Sequence, residues 1–352
     1  MKKKVRLITY CTWKSIGSIL QAYALSSVLS SLGYNNELWL EEKNCSVEKY
    51  KPKSLKAFLK HCLEFFIEKK IDVACKKRCG FIEKNIKVTY FSDLAAFENN
   101  VVDKDSYVYL AGSDQIWNPD ACNSIYFLDF AKKERCVSYA ASMGKTKISQ
   151  DKLSFFKEKL ENFDFISVRE QECASVLSNC TNKDISVNID PTFLLDTNVW
   201  SSLGKSYKVN GPYILLYMLY WDNSYKDQII ALKKRTGLPV YAICNGLSHV
   251  YADRHLFDVG VEEFLWLIEH AEYVITSSFH GVAFSILFRK KFAPLINPQL
   301  PSRIENLLDI LEVPSVSLDE LDKATDFKYD AVFMNIEREL KRSLEFLKGA
   351  IE

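Results

Sequence analysis

Long apolar runs are missing from this sequence of 352 residues. The longest, Tyr213–Trp221, is far too short for a spanning helix, so no transmembrane segment is expected. The basic start, Met1–Arg6, leads into an apolar run too short for a secretory signal, and Trp13 and Lys14 soon interrupt it. Zinc-type spacing is missing too. The ten cysteines are scattered, Cys75 and Cys79 being the nearest pair, and no CxxC or Cys/His cluster occurs. Neither a metal centre nor a disulfide framework is expected; buried thiols in a reducing compartment fit better, which points to the cytoplasm. No charge of one sign dominates, with 46 Lys and Arg against 45 Asp and Glu, so no global field would draw the chain to nucleic acid. The Gly-x-Gly-x-x-Gly fingerprint is absent after the first predicted strand, which argues against a nicotinamide cofactor.

What is present is ordinary globular composition, 48% hydrophobic and 26% charged, in a chain long enough for two α/β domains. Val5–Cys11 reads as a strand and Ile19–Leu32 as a helix with apolar residues at helical spacing and Gly33 at its C-cap. Gly17 and Ser18 then stand in the loop at the strand's carboxyl end, where open α/β sheets bind ligands. The polar stretch Asp196–Pro212 is the best boundary, giving an N-terminal domain over 1–195 and a C-terminal domain over 196–352. Between Lys51 and Lys87 eleven basic residues outnumber four acids around an apolar stripe. That insertion reads as an amphipathic helix packed on the domain, with docking to an anionic membrane as the sharper alternative.

Three stretches concentrate chemistry. Tyr273–Thr276 is β-branched or aromatic and Gly281 onward is apolar, so Ser277, Ser278 and His280 fall in a strand-to-helix turn suited to an anion; the plainer alternative is a capped helix start. Gly112, Ser113, Asp114, Gln115 and Asn118 follow the strand Ser106–Ala111 and suggest ligand contact, or else a tight turn bonded to itself. Arg169 ends another strand and could grip a carboxylate or phosphate with two bonds, or pair with Glu170 or a nearby acid.

Taken together, six ordered blocks resemble the polysaccharide pyruvyl transferase family over nearly the whole chain: Gly17–Leu25, Gly112–Pro119, Ser138–Ser142, Val168–Glu170, Asp190–Thr192 and Ser277–Gly281. The resemblance implies two Rossmann-like domains facing across a cleft, as in GT-B glycosyltransferases, with the donor side in the C-terminal half. It implies phosphoenolpyruvate as donor, a sugar with two suitably placed hydroxyls as acceptor, and a pyruvate ketal on a surface polysaccharide as product. No cofactor or metal is implied.

In that reading His280 is the general acid or base, and Arg169 with Ser277, Ser278 and the N–H groups near Gly281 holds the donor's anionic oxygens. The family's Arg two residues before the His is replaced here by Ser278, and Arg303 is the candidate substitute. Gly17, Ser18, Gln21 and the Gly112–Asn118 cluster would face the acceptor. A lipid-linked oligosaccharide acceptor would suit the basic insertion and place the chain at the inner face of the membrane. Two rivals remain open. A nucleotide-sugar glycosyltransferase of the same architecture would use Glu262 or Glu263 to touch a ribose, and a glycan-binding protein without turnover would bind acceptor alone.

Overall fold

Strand pairing in both main sheets of the computed structural model is parallel. The structure describes residues 4–41, 55–92, 95–96, 107–121, 123–131, 134–145, 148–219, 223–244, 251–296, 302–324 and 327–352. In the basic insertion, residues 51–54 and the side chains of 55–66 lie outside the described set.

The first sheet has the order β3-β2-β1-β4-β5, formed by β1 (Lys4–Ile8), β2 (Asn35–Glu41), β3 (Val88–Phe91), β4 (Tyr107–Ala111) and β5 (Arg135–Ser138). Helix α1 (Ile16–Ser31) connects β1 to β2, and α2 (Leu55–Asn85) precedes β3. Further along come α3 (Gln150–Leu160), β6 (Ile166–Val168), α4 (Gln171–Leu177) and β7 (Ile185–Val187). The second sheet has the order β10-β9-β8-β11-β12, from β8 (Ile214–Tyr217), β9 (Val240–Ile243), β10 (Arg254–Leu256), β11 (Tyr273–Thr276) and β12 (Lys291–Pro294). Between the sheets lies α5 (Thr197–Leu203), and the second sheet carries α6 (Lys226–Thr236), α7 (Val261–His270), α8 (Phe279–Leu287) and α9 (Ser302–Leu311).

Each sheet reverses its strand order once, between β1 and β4 in the first and between β8 and β11 in the second. Helices leave in opposite directions at such a point and open a crevice at the strand ends, where ligands bind in doubly wound folds. The segments that follow β1, β4, β8 and β11 line one shared cavity, so the two crevices face each other.

Helix α1 joins the halves. It is buried almost all round, as expected of a helix packed on several sides, and touches α2, α7 and α8. It begins three residues earlier than the apolar spacing suggested. Ser15 adopts extended φ/ψ and its side chain accepts from the Ser18 N–H at 3.2 Å, so Gly17 and Ser18 belong to the first turn of the helix, not to a loop. An aromatic chain continues the contact, with Trp200 of α5 edge-on to Tyr23 at 5.7 Å and to Phe284 at 5.0 Å. The C-terminal helix α10 (Tyr329–Ile351) returns to the first half, where Ser343 meets the Ile189 N–H at 3.1 Å and Arg135 reaches the Ala350 carbonyl at 3.2 Å.

Part of the basic insertion turns inward. Lys77 pairs with Glu263 at 2.7 Å and donates to the Asp258 carbonyl, while buried Arg78 donates to the carbonyls of Val259 at 3.0 Å and Trp13 at 3.1 Å. Lys69, Lys70 and Lys76 stay exposed. Arg78→Ala would leave two buried carbonyls without their donor, at about 1–3 kcal/mol each. Urea denaturation should show a loss of about 3 kcal/mol for Arg78→Ala, against under about 0.5 kcal/mol for the exposed Lys76→Ala; equal midpoints would remove the latch role.

Candidate active site

The shared cavity has a volume of about 490 Å³. Two helix starts converge on it. Ser15 and Gly17 come from α1, and Ser278, Phe279 and His280 from α8, so the positive ends of two helix dipoles meet there. A Cβ placed on Gly17 would come within 2.1 Å of His280 Nδ1, so only glycine lets the imidazole of one half lie against the backbone of the other.

His280 is 6% exposed. Its Nε2 is 3.8 Å from Asp190 Oδ2, too long for a hydrogen bond, and has no other partner among the described residues. Burial pushes the imidazole below the usual histidine range. Asp190 and Asp114 pull it back up, and Arg169 and Arg303 push it down again. The net direction is down, which favours the neutral ring at neutral pH.

Asp190 is the hub beneath the histidine. Its Oδ2 accepts from Arg169 at 2.8 Å and from the Ser113 hydroxyl at 3.3 Å, and its Oδ1 accepts from the N–H and the hydroxyl of Thr192 at 3.0 and 2.8 Å. Burial favours the neutral acid, but His280, Arg169 and the Thr192 N–H together hold the carboxyl below its usual range. The Asp190-Pro191-Thr192 turn signal marked this residue in the sequence. Nothing local linked it to a histidine ninety positions away.

Among the described residues that line the cavity, Arg303 is the cation. It makes no ion pair with any described residue; the Gln115 side-chain oxygen, oriented toward it, accepts from both Nη atoms at 2.8 Å. Burial and the neighbouring Arg169 lower its affinity for a proton, yet a guanidinium stays charged, and an incoming anion would relieve both penalties.

Arg169 lies elsewhere. Its Nε pairs with Glu170 at 3.0 Å and its Nη1 with Asp190 at 2.8 Å, and Phe279 stacks over its guanidinium at 4.0 Å, screening it from the cavity. The alternative expected for Arg169 is the one the structure forms: its guanidinium is paired with two buried carboxylates and does not line the cavity. Its Nη2 has no partner among the described residues, and Arg169 borders a void of about 20 Å³, room for one water.

The serines of the turn are also used structurally. Ser277 accepts from the Leu219 N–H at 3.1 Å, tying β8 to β11. Ser278 caps α8 through the Gly281 N–H at 3.3 Å, which removes that N–H from anion binding, although Ser278 still lines the cavity. Gly281 is a packing glycine, since a Cβ there would meet Thr276 Oγ1 at 2.2 Å.

Of the N-terminal cluster, Asp114, Gln115 and Asn118 line the cavity with Gly17. Ser18, Gln21, Gly112 and Ser113 form its buried support. Ser18 bonds the carbonyls of Thr12 and Ser15, Gln21 bonds Thr9 and the Tyr10 carbonyl, Gly112 packs on Thr9, and Ser113 reaches Asp190. Glu263, a candidate for a ribose contact, is taken up by Lys77 and the Gly260 N–H. Tyr10, Glu41, Asn123, Tyr126 and Tyr217 line the cavity without having been singled out from sequence. Tyr10 and Tyr217 could have been, since each sits at or just past the carboxyl end of a strand at a switch point.

The family model described as polysaccharide pyruvyl transferase matches residues 16–298. No curated protein matches the chain. Among solved structures, UDP-N-acetylglucosamine 2-epimerase from Rickettsia bellii is 10% identical at a TM-score of 0.53, over 97% of this chain and 88% of that one. UDP-GlcNAc 2-epimerase from Neisseria meningitidis bound to UDP-GlcNAc is 11% identical at a TM-score of 0.50, over 99% and 94%. These likenesses show the GT-B-like fold, two Rossmann-like halves across a cleft.

The charges around His280 set a testable order. In NMR titrations its pKa should lie below 6.5 and should rise in Arg303→Gln, because a repelling cation has been removed; no change or a fall would contradict the placement of Arg303.

Proposed function

Because the chain belongs to the polysaccharide pyruvyl transferase family, we propose that it transfers the enolpyruvyl group of phosphoenolpyruvate to two hydroxyls of a sugar in a surface polysaccharide or its lipid-linked precursor. The product is a pyruvate ketal, and phosphate is released. One observation carries the reading beyond the family: a buried histidine backed by a carboxylate shares a cavity with an arginine that has no acidic partner among the described residues, where two helix starts point.

A small trianion is attracted to that corner. Arg303 and the helix starts take its phosphate and carboxylate. His280, made cationic by the bound charges, gives a proton from Nδ1 to the methylene carbon, while Asp190 stabilises the imidazolium through Nε2. Positive charge develops at C2. One sugar hydroxyl adds there, the C2–O bond to phosphate breaks, and the second hydroxyl closes the ring. Of the two hydroxyl protons released, one restores His280 and the other leaves with phosphate.

Donor binding should therefore take up a proton. The free histidine is held low by burial and the donor raises it, so affinity falls as pH rises from the free toward the bound pKa and is flat above it. Calorimetry in buffers of different ionisation enthalpy should show phosphoenolpyruvate binding with proton uptake, no uptake in His280→Gln, and roughly tenfold weaker binding in Arg303→Gln. Binding of a nucleotide diphosphate sugar with none of phosphoenolpyruvate would sink the reading.

A further inference from the structure

Tyr217 stands at the carboxyl end of β8, at the switch point of the second sheet, and lines the cavity. Its carbonyl is already used, accepting from the Thr276 hydroxyl at 2.7 Å and the Ser277 N–H at 3.2 Å, so its side chain is what the cavity meets. Phe264 packs edge-on against the ring, with centroids 5.0 Å apart, and fixes its direction. The hydroxyl is hydrogen-bonded to the Ser278 side chain, which also caps α8 by accepting the Gly281 N–H at 3.3 Å. From the other half, the charge of Arg78 acts on the same hydroxyl, while the Arg78 guanidinium stays anchored on the carbonyls of Val259 and Trp13. Burial pushes the phenol above its usual range, and Arg78 and Ser278 draw it back only in part. Tyr217 is thus a neutral hydroxyl beside a cation and a helix start.

Resting on the transfer reading above, we propose that Tyr217 is a donor-binding residue that hydrogen-bonds the carboxylate of phosphoenolpyruvate, with Ser278 and the start of α8 acting through it. Ser278 Oγ accepts the Gly281 N–H, so its own proton goes to the Tyr217 oxygen and the phenol proton is left for the ligand. Each bond in such a chain polarises the next, which carries the positive end of the α8 dipole to the phenol. The capping serine thereby takes part in binding although the N–H it caps does not. Among the described residues that line the cavity Arg303 is the cation, and its planar fork matches the doubly charged phosphate. The carboxylate carries one charge and is bonded directly to C2, where positive charge develops. A guanidinium against it would oppose that charge, whereas a neutral donor holds the group without doing so. Tyr217 therefore fixes which end of the donor faces which wall.

The test is calorimetry on the full chain with two ligands, phosphoenolpyruvate and isopropenyl phosphate, in which a methyl group replaces the carboxylate. Tyr217→Phe keeps the ring against Phe264 and should leave the chain folded, as thermal unfolding checks. It should weaken phosphoenolpyruvate binding about tenfold and isopropenyl phosphate binding less than about twofold, whereas Arg303→Gln should weaken both. Ser278→Ala should weaken phosphoenolpyruvate binding about threefold in the wild type and less than about twofold once Tyr217→Phe is present, because its effect passes through the phenol. Unchanged phosphoenolpyruvate binding in Tyr217→Phe, equal weakening of both ligands, or losses that multiply in the combined variant would overturn the assignment. Failure of the transfer reading looks different: the wild type itself would bind no phosphoenolpyruvate, and both ideas would fall together.

Discussion

A single buried carboxylate, Asp190, holds the cleft in register. Its two oxygens collect Arg169 from the end of β6, Ser113 from the loop after β4 and the N–H and hydroxyl of its own turn, and they face His280 from the opposite half. Such a carboxylate tolerates burial only because its lone pairs are met. Each partner is thereby fixed to the others, and the imidazole, which makes no hydrogen bond with a described residue, is placed by packing: Gly17 on one side, Phe279 at 5.2 Å on another, Asp190 below. Loosely bonded but tightly packed, the ring can change protonation without breaking a structural bond.

The halves are also joined away from the cleft. Arg78 and Lys77 on α2 reach the segment that leads into α7, and the Tyr23–Trp200–Phe284 chain runs behind α1. These contacts fix the separation across which α1 and α8 present their starts to the same cavity. They also explain why a run of basic residues need not be surface charge, since Lys77 and Arg78 direct their donors to the Trp13 carbonyl of their own half and to two carbonyls and a carboxylate of the other.

Much of this was legible in the sequence because it is local. The strand Tyr273–Thr276, the turn that follows and the placing of His280 at the head of a helix need only residue types and spacing, and the six ordered blocks carried the family and the fold. Long-range choices were not legible. Arg169 and Arg303 are both arginines beside a strand or helix end, and only the tertiary fold decides that the first meets two acids and the second meets the cavity. Asp190 reads as a turn former until the other half supplies His280. Ser18 and Gln21 moved from the wall to the support because Ser15 starts α1 early, a shift of one helical turn that residue spacing does not resolve. Tyr126 had no pattern to mark it, whereas Tyr10 and Tyr217 stand at or just past strand ends.

The central claim is that His280 protonates an enol phosphate so that a sugar diol can capture it. Phosphoenolpyruvate labelled with carbon-13 at its methylene carbon, incubated in heavy water with a panel of methyl hexosides and followed by NMR, tests that step directly. The account predicts a new ketal methyl signal carrying one deuterium, accompanied by phosphate and reduced about a hundredfold or more in His280→Ala. A ketal methyl without deuterium, or phosphoenolpyruvate left intact with every hexoside while a nucleotide sugar is consumed, would contradict it.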